Sequence, residues 1–482
     1  MAVYNPKSLK AEELINDGEI LETLAYAEEN KNNLELIEEI LEKARPKKNG
    51  NGVECKGLTH REASVLLACD IPEITEKIYK IAEEIKLAFY GNRIVMFAPL
   101  YLSNYCVNGC VYCPYHIKNK QIPRKKLTQE EVKKEVIALQ DMGHKRLAIE
   151  AGEDPINNPI EYILECINTI YSVNHKNGAI RRVNVNIAAT TVENYRKLKD
   201  AGIGTYILFQ ETYHKESYLK LHPTGPKHDY DYHTEAMDRA MEGGIDDVGL
   251  GVLFGLELYK YEFAGLIMHA EHLEAVHGVG PHTISVPRIK RASDIDPTVF
   301  DNSIPDETFL KIIACIRLAV PYTGMIISTR ESEEVRAKSL KVGISQVSGA
   351  SRTSVGGYTE EEREHDTEQF DVSDQRTLDE VVRWLMETGH IPSFCTACYR
   401  EGRTGDRFMS LCKTGQILNC CHPNALMTLT EFLVDYASDK TKDVGYDLID
   451  RELCKIPKEK VRLIAEDNIK EIKNSNRRDF RF

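Results

Sequence analysis

No stretch of this chain carries the roughly 20 consecutive apolar residues that cross a bilayer. Its opening, Met1-Ala-Val-Tyr-Asn-Pro-Lys-Ser-Leu-Lys10, has no apolar core of the signal-peptide type. A cytoplasmic protein with no membrane partner is therefore expected. Surplus positive charge is missing too: 62 Lys and Arg against 75 Asp and Glu leave −13 over 482 residues. That argues against nucleic acid as a partner, because such binding rests on basic surface. Internal repeats and low-complexity tracts are absent. The glycines of residues 243–255 lack both a Gly-Lys-Ser/Thr ending and Rossmann spacing, and they read as turns around a strand. A Gly-x-Ser-x-Gly elbow and a zinc-protease helix are likewise missing.

What is present is an ordinary folded composition, 42% hydrophobic and 28% charged, with 13 cysteines. In a long cytosolic chain, clustered cysteines bind metal or do redox chemistry more often than they form disulfides. Two groups stand out: Cys106, Cys110 and Cys113, then Cys395, Cys398, Cys420 and Cys421. Cys55, Cys69, Cys166, Cys315, Cys412 and Cys454 are scattered and read as small buried hydrophobes.

Residues 10–90 show apolar positions at three- and four-residue spacing and read as helices, with a loop at 47–52. From about residue 92, short β-branched runs alternate with amphipathic stretches. Strands are expected at 93–98, 146–150, 182–188, 206–210, 248–254, 282–287, 325–329 and 344–347, with a helix after nearly every one. Eight such units predict an α/β fold, a (β/α)8 TIM-type barrel, over residues 91–375. A helical extension (1–90) precedes it and a mostly helical C-terminal domain (376–482) follows. The polar segment 351–374, with Glu360-Glu-Glu-Arg-Glu364, reads as a linker or lid, and 458–482 as a solvated terminal helix.

Cys106-Val-Asn-Gly-Cys110-Val-Tyr-Cys113 follows the first strand. Its three thiolates, within one short loop, suit one face of a cubane iron–sulfur cluster and leave one iron open to a substrate or cofactor. Structural zinc is the competing reading and needs a fourth ligand, which His116 offers. The second group begins Cys395-Thr-Ala-Cys398-Tyr-Arg, and Cys421 follows twenty-two residues after Cys398. It suits a second cluster, or a closed site if Cys412, Cys420 or His422 supplies a fourth ligand.

The first motif, with Tyr112 before its last cysteine and its place after strand one, resembles the radical S-adenosylmethionine (SAM) superfamily. The resemblance implies a [4Fe-4S] cluster on Cys106, Cys110 and Cys113 that binds and cleaves SAM. It implies a methionine-binding segment at Glu150-Ala-Gly152-Glu153. Together with Cys-Thr-Ala-Cys-Tyr-Arg and Gly-Pro-His-Thr-Ile-Ser-Val-Pro-Arg (280–288), residues 55–435 resemble the FeFe-hydrogenase maturase tyrosine lyases, relatives of the thiamine-pathway 2-iminoacetate synthase. That implies cleavage of the Cα–Cβ bond of L-tyrosine to p-cresol and dehydroglycine, then carbon monoxide and cyanide delivered on iron for H-cluster assembly. The alternative is a 2-iminoacetate synthase-like lyase that makes neither. It further implies an auxiliary 4Fe-4S-type cluster on Cys395, Cys398 and Cys421, with an extra iron bridged by free cysteine and held by His272, or alternatively by His282. The implied partners are tyrosine, cysteine, iron, an electron donor and other hydrogenase maturation proteins.

Position along the expected strands adds further candidates. Arg330, ending strand seven, suits a bidentate grip on a substrate carboxylate, with pairing to Glu331 or Glu333 as its ordinary explanation. Ser348, after strand eight, is placed beside it. Asn186, Gln210, Glu211 and Arg288 occupy strand ends where they would line the same mouth and contact the cofactor.

Overall fold

The computed structural model describes residues 2–49, 52–360, 367–413 and 418–482. Eight parallel strands close into a barrel: β1 (Arg93–Ser103), β2 (Arg146–Ala151), β3 (Arg182–Asn186), β4 (Tyr206–Ile207), β5 (Val248–Gly251), β6 (Thr283–Ser285), β7 (Gly324–Ile327) and β8 (Gln346–Ser348). Closure is made by β8 on β1, with Val347 opposite Met96. All eight lie where alternation of apolar runs and amphipathic stretches places them, although β4 and β6 are shorter than their apolar runs. Between β4 and β5 the amphipathic stretch forms two short helices, Tyr230–Thr234 and Ala236–Glu242, separated at Glu235.

The first strand is unusual. With 11 residues it is longer than its neighbours. Its later part pairs with β2 from Ala98 onward, while its first residues take a ninth parallel strand, β9 (Ile391–Ser393), with Ile391 opposite Arg93 and Ser393 opposite Val95. One strand therefore carries the first cysteine loop at its end and the start of the second cysteine segment at its beginning.

A single apolar core runs from the N-terminal helices (Ile20, Ile37) through the barrel (Ile94, Ile149, Val185) to the C-terminal helices (Leu429, Ile469). The expected loop at 47–52 is instead flanked by an antiparallel pair, Lys47–Asn49 with Gly52–Glu54, and residues 50 and 51 lie outside the described residues. Helix Glu459–Asn474 is not merely solvated: Ala465, Ile469 and Ile472 are buried. The residues after it fold back, with Asp479 on Arg400, Arg481 on Glu401 and the Phe482 carbonyl accepting from Arg403. No helix among the described residues is long and apolar enough to cross a membrane.

Segment 351–374 has no regular structure among its described residues, yet it is fastened to the barrel. The buried Glu135 carboxylate accepts from the backbone N–H of Tyr358 and of Thr359, and Tyr358 Oη donates to the Pro99 carbonyl. Residues 361–366, which include most of the Glu-rich run, lie outside the described residues. Helix Leu378–Glu387 then starts with a capping box between Thr377 and Glu380 and leads into β9.

Candidate functional site

Two thiol-lined cavities occupy the two ends of the barrel. The first, of about 240 Å³, sits at the C-terminal mouth, and Cys106, Cys110 and Cys113 all face it. Their loop leaves β1 and is clamped to the β2 end. Gly152 N–H donates to Ser103 O, Val107 N–H to Glu153 O, and Asn108 Nδ2 to Glu153 Oε2 at 2.6 Å. A Cβ on Gly152 would stand 2.4 Å from the Tyr105 carbonyl oxygen and 3.0 Å from Cys106 Cβ, so this close approach needs a glycine. Burial pushes the Cys113 thiol up to about 12, with Cys106 adding to it, and lifts Cys110 further. Thiols so placed ionise only in exchange for strong positive charge, as a cluster supplies. Among the described residues no three ligating side chains converge as a single metal ion requires, which leaves zinc with no ready-made ligand set. His116 turns to Asp294 at 3.3 Å and does not line the cavity.

The cavity wall opposite the thiols is polar. Arg330 stacks its guanidinium 3.5 Å over Phe370, and burial lowers its pKa. Its ordinary explanation fails. Glu331 pairs with Arg288 and Glu333 with Arg376, so no carboxylate pairs with Arg330 among the described residues. Ser348 lines the same cavity and its hydroxyl accepts from the Thr329 N–H at 3.2 Å. Glu150, hydrogen-bonded to Asn186, is pushed up to about 8 by burial, against the pull of Asn186 and Arg330. Glu211 sits at φ 68°, a left-handed conformation uncommon for glutamate, and pairs with Lys227 at 2.8 Å. Glu153 is also raised by burial. Tyr112 Oη is 2.7 Å from His222 Nε2. Because His222 Nδ1 must donate to the Tyr218 carbonyl, Nε2 is the acceptor and the tyrosine donates.

Two expected mouth residues lie elsewhere. Gln210 points away from the lumen and donates to Thr234 Oγ1. The Arg288 side chain is spent on Glu331, Asp306 and the Ile304 carbonyl beside Phe309. In both cases the position near a strand end is right and the side chain takes the outward face.

The second cavity, about 80 Å³, lies at the barrel floor, with Cys395, Cys398 and Cys421 on its wall beside His282, Tyr399 and Phe408. Burial pushes Cys395 up to about 11. The Cys421 thiol donates to Cys398, and with Arg403 nearby this holds Cys398 below the usual thiol range. Two arginines that begin barrel strands reach this cavity, Arg93 of β1 and Arg146 of β2. Arg93 Nη1 and Arg146 Nε are buried without an acceptor, and neither side chain has a carboxylate partner among the described residues. Uncompensated buried guanidinium groups call for an anion. A cluster bound by three thiolates is such an anion, so the donor set and its surroundings fit one. The side chain of Cys412 lies outside the described residues, and neither Cys420 nor His422 lines the cavity.

The histidine expectation is corrected. His272 is fully buried under the N-terminal segment, with Nδ1 on the Pro6 carbonyl and Nε2 on Asp238. A helix interior, not a cavity, is what its neighbours His269 and Leu273 provide. His282 instead lines the floor cavity, 2.7 Å from Tyr399 Oη. Lys227, Asn108, Arg146, Tyr399 and the Gln369–Phe370 wall were not singled out from the sequence. Only Asn108, between the first two cysteines of its motif, and Tyr399, directly after Cys398, carried a local signal.

Family comparisons agree with this architecture. The Radical SAM superfamily model matches residues 100–264, and the Biotin and Thiamin Synthesis associated domain matches 285–391. The 2-iminoacetate synthase of Escherichia coli is 30% identical over 338 residues, 70% of this chain and 86% of that protein. The crystal structure of HydG, a maturase of the [FeFe]-hydrogenase, is 54% identical with a TM-score of 0.91, covering 97% of this chain and 100% of that one. HydG from Carboxydothermus hydrogenoformans is 37% identical, TM-score 0.80, covering 95% and 99%. With both cysteine-lined cavities in one barrel and that extent of likeness, the chain belongs to the radical SAM superfamily and, within it, to the HydG maturases.

Proposed function

We propose that this radical SAM enzyme cleaves the Cα–Cβ bond of L-tyrosine to p-cresol and dehydroglycine, converts the fragment to carbon monoxide and cyanide on iron, and so serves [FeFe]-hydrogenase maturation. Two thiol-lined cavities at opposite ends of one barrel carry this reading. Cys106, Cys110 and Cys113 would hold the first cluster, which, when bound and reduced, supplies the electron that splits SAM to methionine and a 5′-deoxyadenosyl radical. Glu153 and the Gly152 backbone are placed for the methionine end, and Glu150, Asn186 and Glu211 for the rest of the mouth. Arg330 has no carboxylate ion-pair partner among the described residues, so its fork suits the tyrosine carboxylate, with Ser348 lining the same cavity. The Phe370 face keeps the guanidinium flat and excludes water from that side.

At the floor, Cys395, Cys398 and Cys421 would hold the second cluster. Arg93 and Arg146 would neutralise its charge there. His282, on the wall of the same cavity, would hold the extra iron, and free cysteine would be its further ligand. Electrons come from a separate donor protein, and the iron product passes to other maturation proteins.

Anaerobic reconstitution with iron and sulfide, followed by reductant, SAM and tyrosine, tests the scheme. Cresol and cyanide are quantified in the wild type and in Cys395→Ala/Cys398→Ala. Cresol from both, with cyanide lost only in the variant, supports divided labour. Cresol without cyanide even in the wild type identifies a 2-iminoacetate synthase-like lyase instead. Neither product, despite loaded clusters and cleaved SAM, sinks tyrosine as the substrate.

A further inference from the structure

Beneath the barrel floor, a basin of about 590 Å³ opens to the outside, lined by Arg181, Arg182, Arg400, Arg478, Lys176 and Asp479 among others. Four of these five cations are already spoken for. Arg181 pairs with Glu431 and Asp479, Arg400 with Asp479, Arg478 with Asp435, and Lys176 with Asp141. Arg182 is different. It is 5% exposed, its Nε is buried with no acceptor, and it forms no ion pair among the described residues. Asp247 acts on it through space only.

The guanidinium of Arg182 lies 3.0 Å over the ring of Tyr399. Tyr399 lines both the basin and the inner cavity of Cys395, Cys398 and Cys421, whereas Arg182 belongs to the basin alone and Arg146 to the inner cavity alone. The tyrosine ring is thus a shared wall, held by Tyr399 Oη to His282 Nε2 at 2.7 Å and to Thr205 Oγ1 at 3.3 Å. A buried guanidinium without a counter-ion, in a basin whose other charges are matched, is a vacant half of an ion pair. Its planar fork suits a carboxylate in bidentate fashion.

We propose that this basin is an intake for the second centre: Arg182 receives the carboxylate of a small, amino-acid-sized solute, and Tyr399 is the partition it passes to reach the inner thiols. The route enters from the floor and is separate from the mouth where the first cavity opens. That the intake serves a cluster rests on the reading of the floor cysteines given above. The carboxylate preference at Arg182 does not.

The test uses alkylation of the full-length, cluster-free chain, followed residue by residue by mass spectrometry. Iodoacetate carries a carboxylate, and iodoacetamide is its neutral counterpart. Exposed Cys454 serves as the internal reference in the same molecule. The expected result is an iodoacetate-to-iodoacetamide rate ratio at Cys395, Cys398 and Cys421 at least about tenfold above that at Cys454, the scale of electrostatic guidance into a cleft. Arg182→Met abolishes the advantage, Arg182→Lys restores part of it, and Lys176→Met leaves it intact. Should Arg182→Met fail to fold, Arg182→Lys decides by whether the advantage drops, because Arg93 and Arg146 beside the thiols favour iodoacetate in the wild type whatever Arg182 does. Acetate must slow iodoacetate labelling of the floor cysteines without slowing iodoacetamide. Equal ratios at the floor and at Cys454, an advantage that survives Arg182→Met, or stronger competition by inorganic phosphate than by acetate would each overturn the proposal. None of these readouts depends on radical chemistry, so a failure here is distinct from a failure of the tyrosine lyase reading.

Discussion

Arg330 shows how much a single side chain can decide. Among the described residues no carboxylate forms an ion pair with it, and on the reading proposed above a substrate carboxylate completes its fork. Replacing it with Met should cost about 1.5–3 kcal/mol of substrate binding, the worth of hydrogen bonds to a charged group. That raises the tyrosine KM for cresol formation by roughly ten- to a hundredfold while reductant-driven SAM cleavage persists. Loss of SAM cleavage as well would place Arg330 in cofactor binding instead. Glu150 makes a pH prediction. Burial raises its carboxyl from 4.5 to about 8, so between those values the folded state holds a proton that the unfolded state has lost. Glu150 should therefore contribute a fall in stability of the cluster-free protein as pH rises through that window, of at most about 1.4 kcal/mol per pH unit, levelling off above it, beside a like contribution from Glu262, which burial also raises to about 8. Urea unfolding of wild type and Glu150→Gln from pH 5 to 9 would isolate that share as the difference between their slopes. The six cysteines of the two motifs face the two cavities, three of them from one loop and Cys398 and Cys421 from helices, where residue type and motif spacing constrained the reading together. Gln210 and Arg288 were placed by position on a strand alone, and His272 by the family resemblance. Whether a side chain near a strand end turns inward or outward depends on one pleat, and no local pattern records it.

At the scale of elements, the strand and helix alternation was legible because each βα unit repeats the same two periodicities. The clamp between the β1 and β2 loops was not, since it depends on a close approach of backbones far apart in sequence. Gly152→Ala puts a methyl group against the Tyr105 carbonyl. The variant should fold, lose the first cluster and keep the second, leaving roughly half the iron of the wild type after reconstitution. Iron lost equally from both centres would show that the clamp is not local. Helix Leu378–Glu387, which leads into β9, supplies a gentler test. Thr377→Ala removes its capping box and should cost about 1 kcal/mol of stability. Activity per loaded cluster should not change.

The whole molecule ties its last residues to the second cysteine segment. Asp479, Arg481 and Phe482 hold Arg400, Glu401 and Arg403, just beyond Cys398. Removing residues 475–482 should lower iron retention at the floor while the mouth still cleaves SAM. Equal retention at both would make the strap dispensable. A charged sequence pattern gave no hint of this, because ion pairs across 79 residues have no local signature. The long first strand has a further consequence. Ser393 is fastened opposite Val95, and the first cysteine loop leaves from Ser103 on the same strand. At about 3.3 Å per residue the strand between them measures roughly 26 Å. It works as a spacer whose register shifts only near its end, between Tyr101 and Ser103. Dipolar spectroscopy on the doubly reduced protein should then return one distance, the same with and without tyrosine, so that the separation of the two cavities is set by one strand and not by what binds.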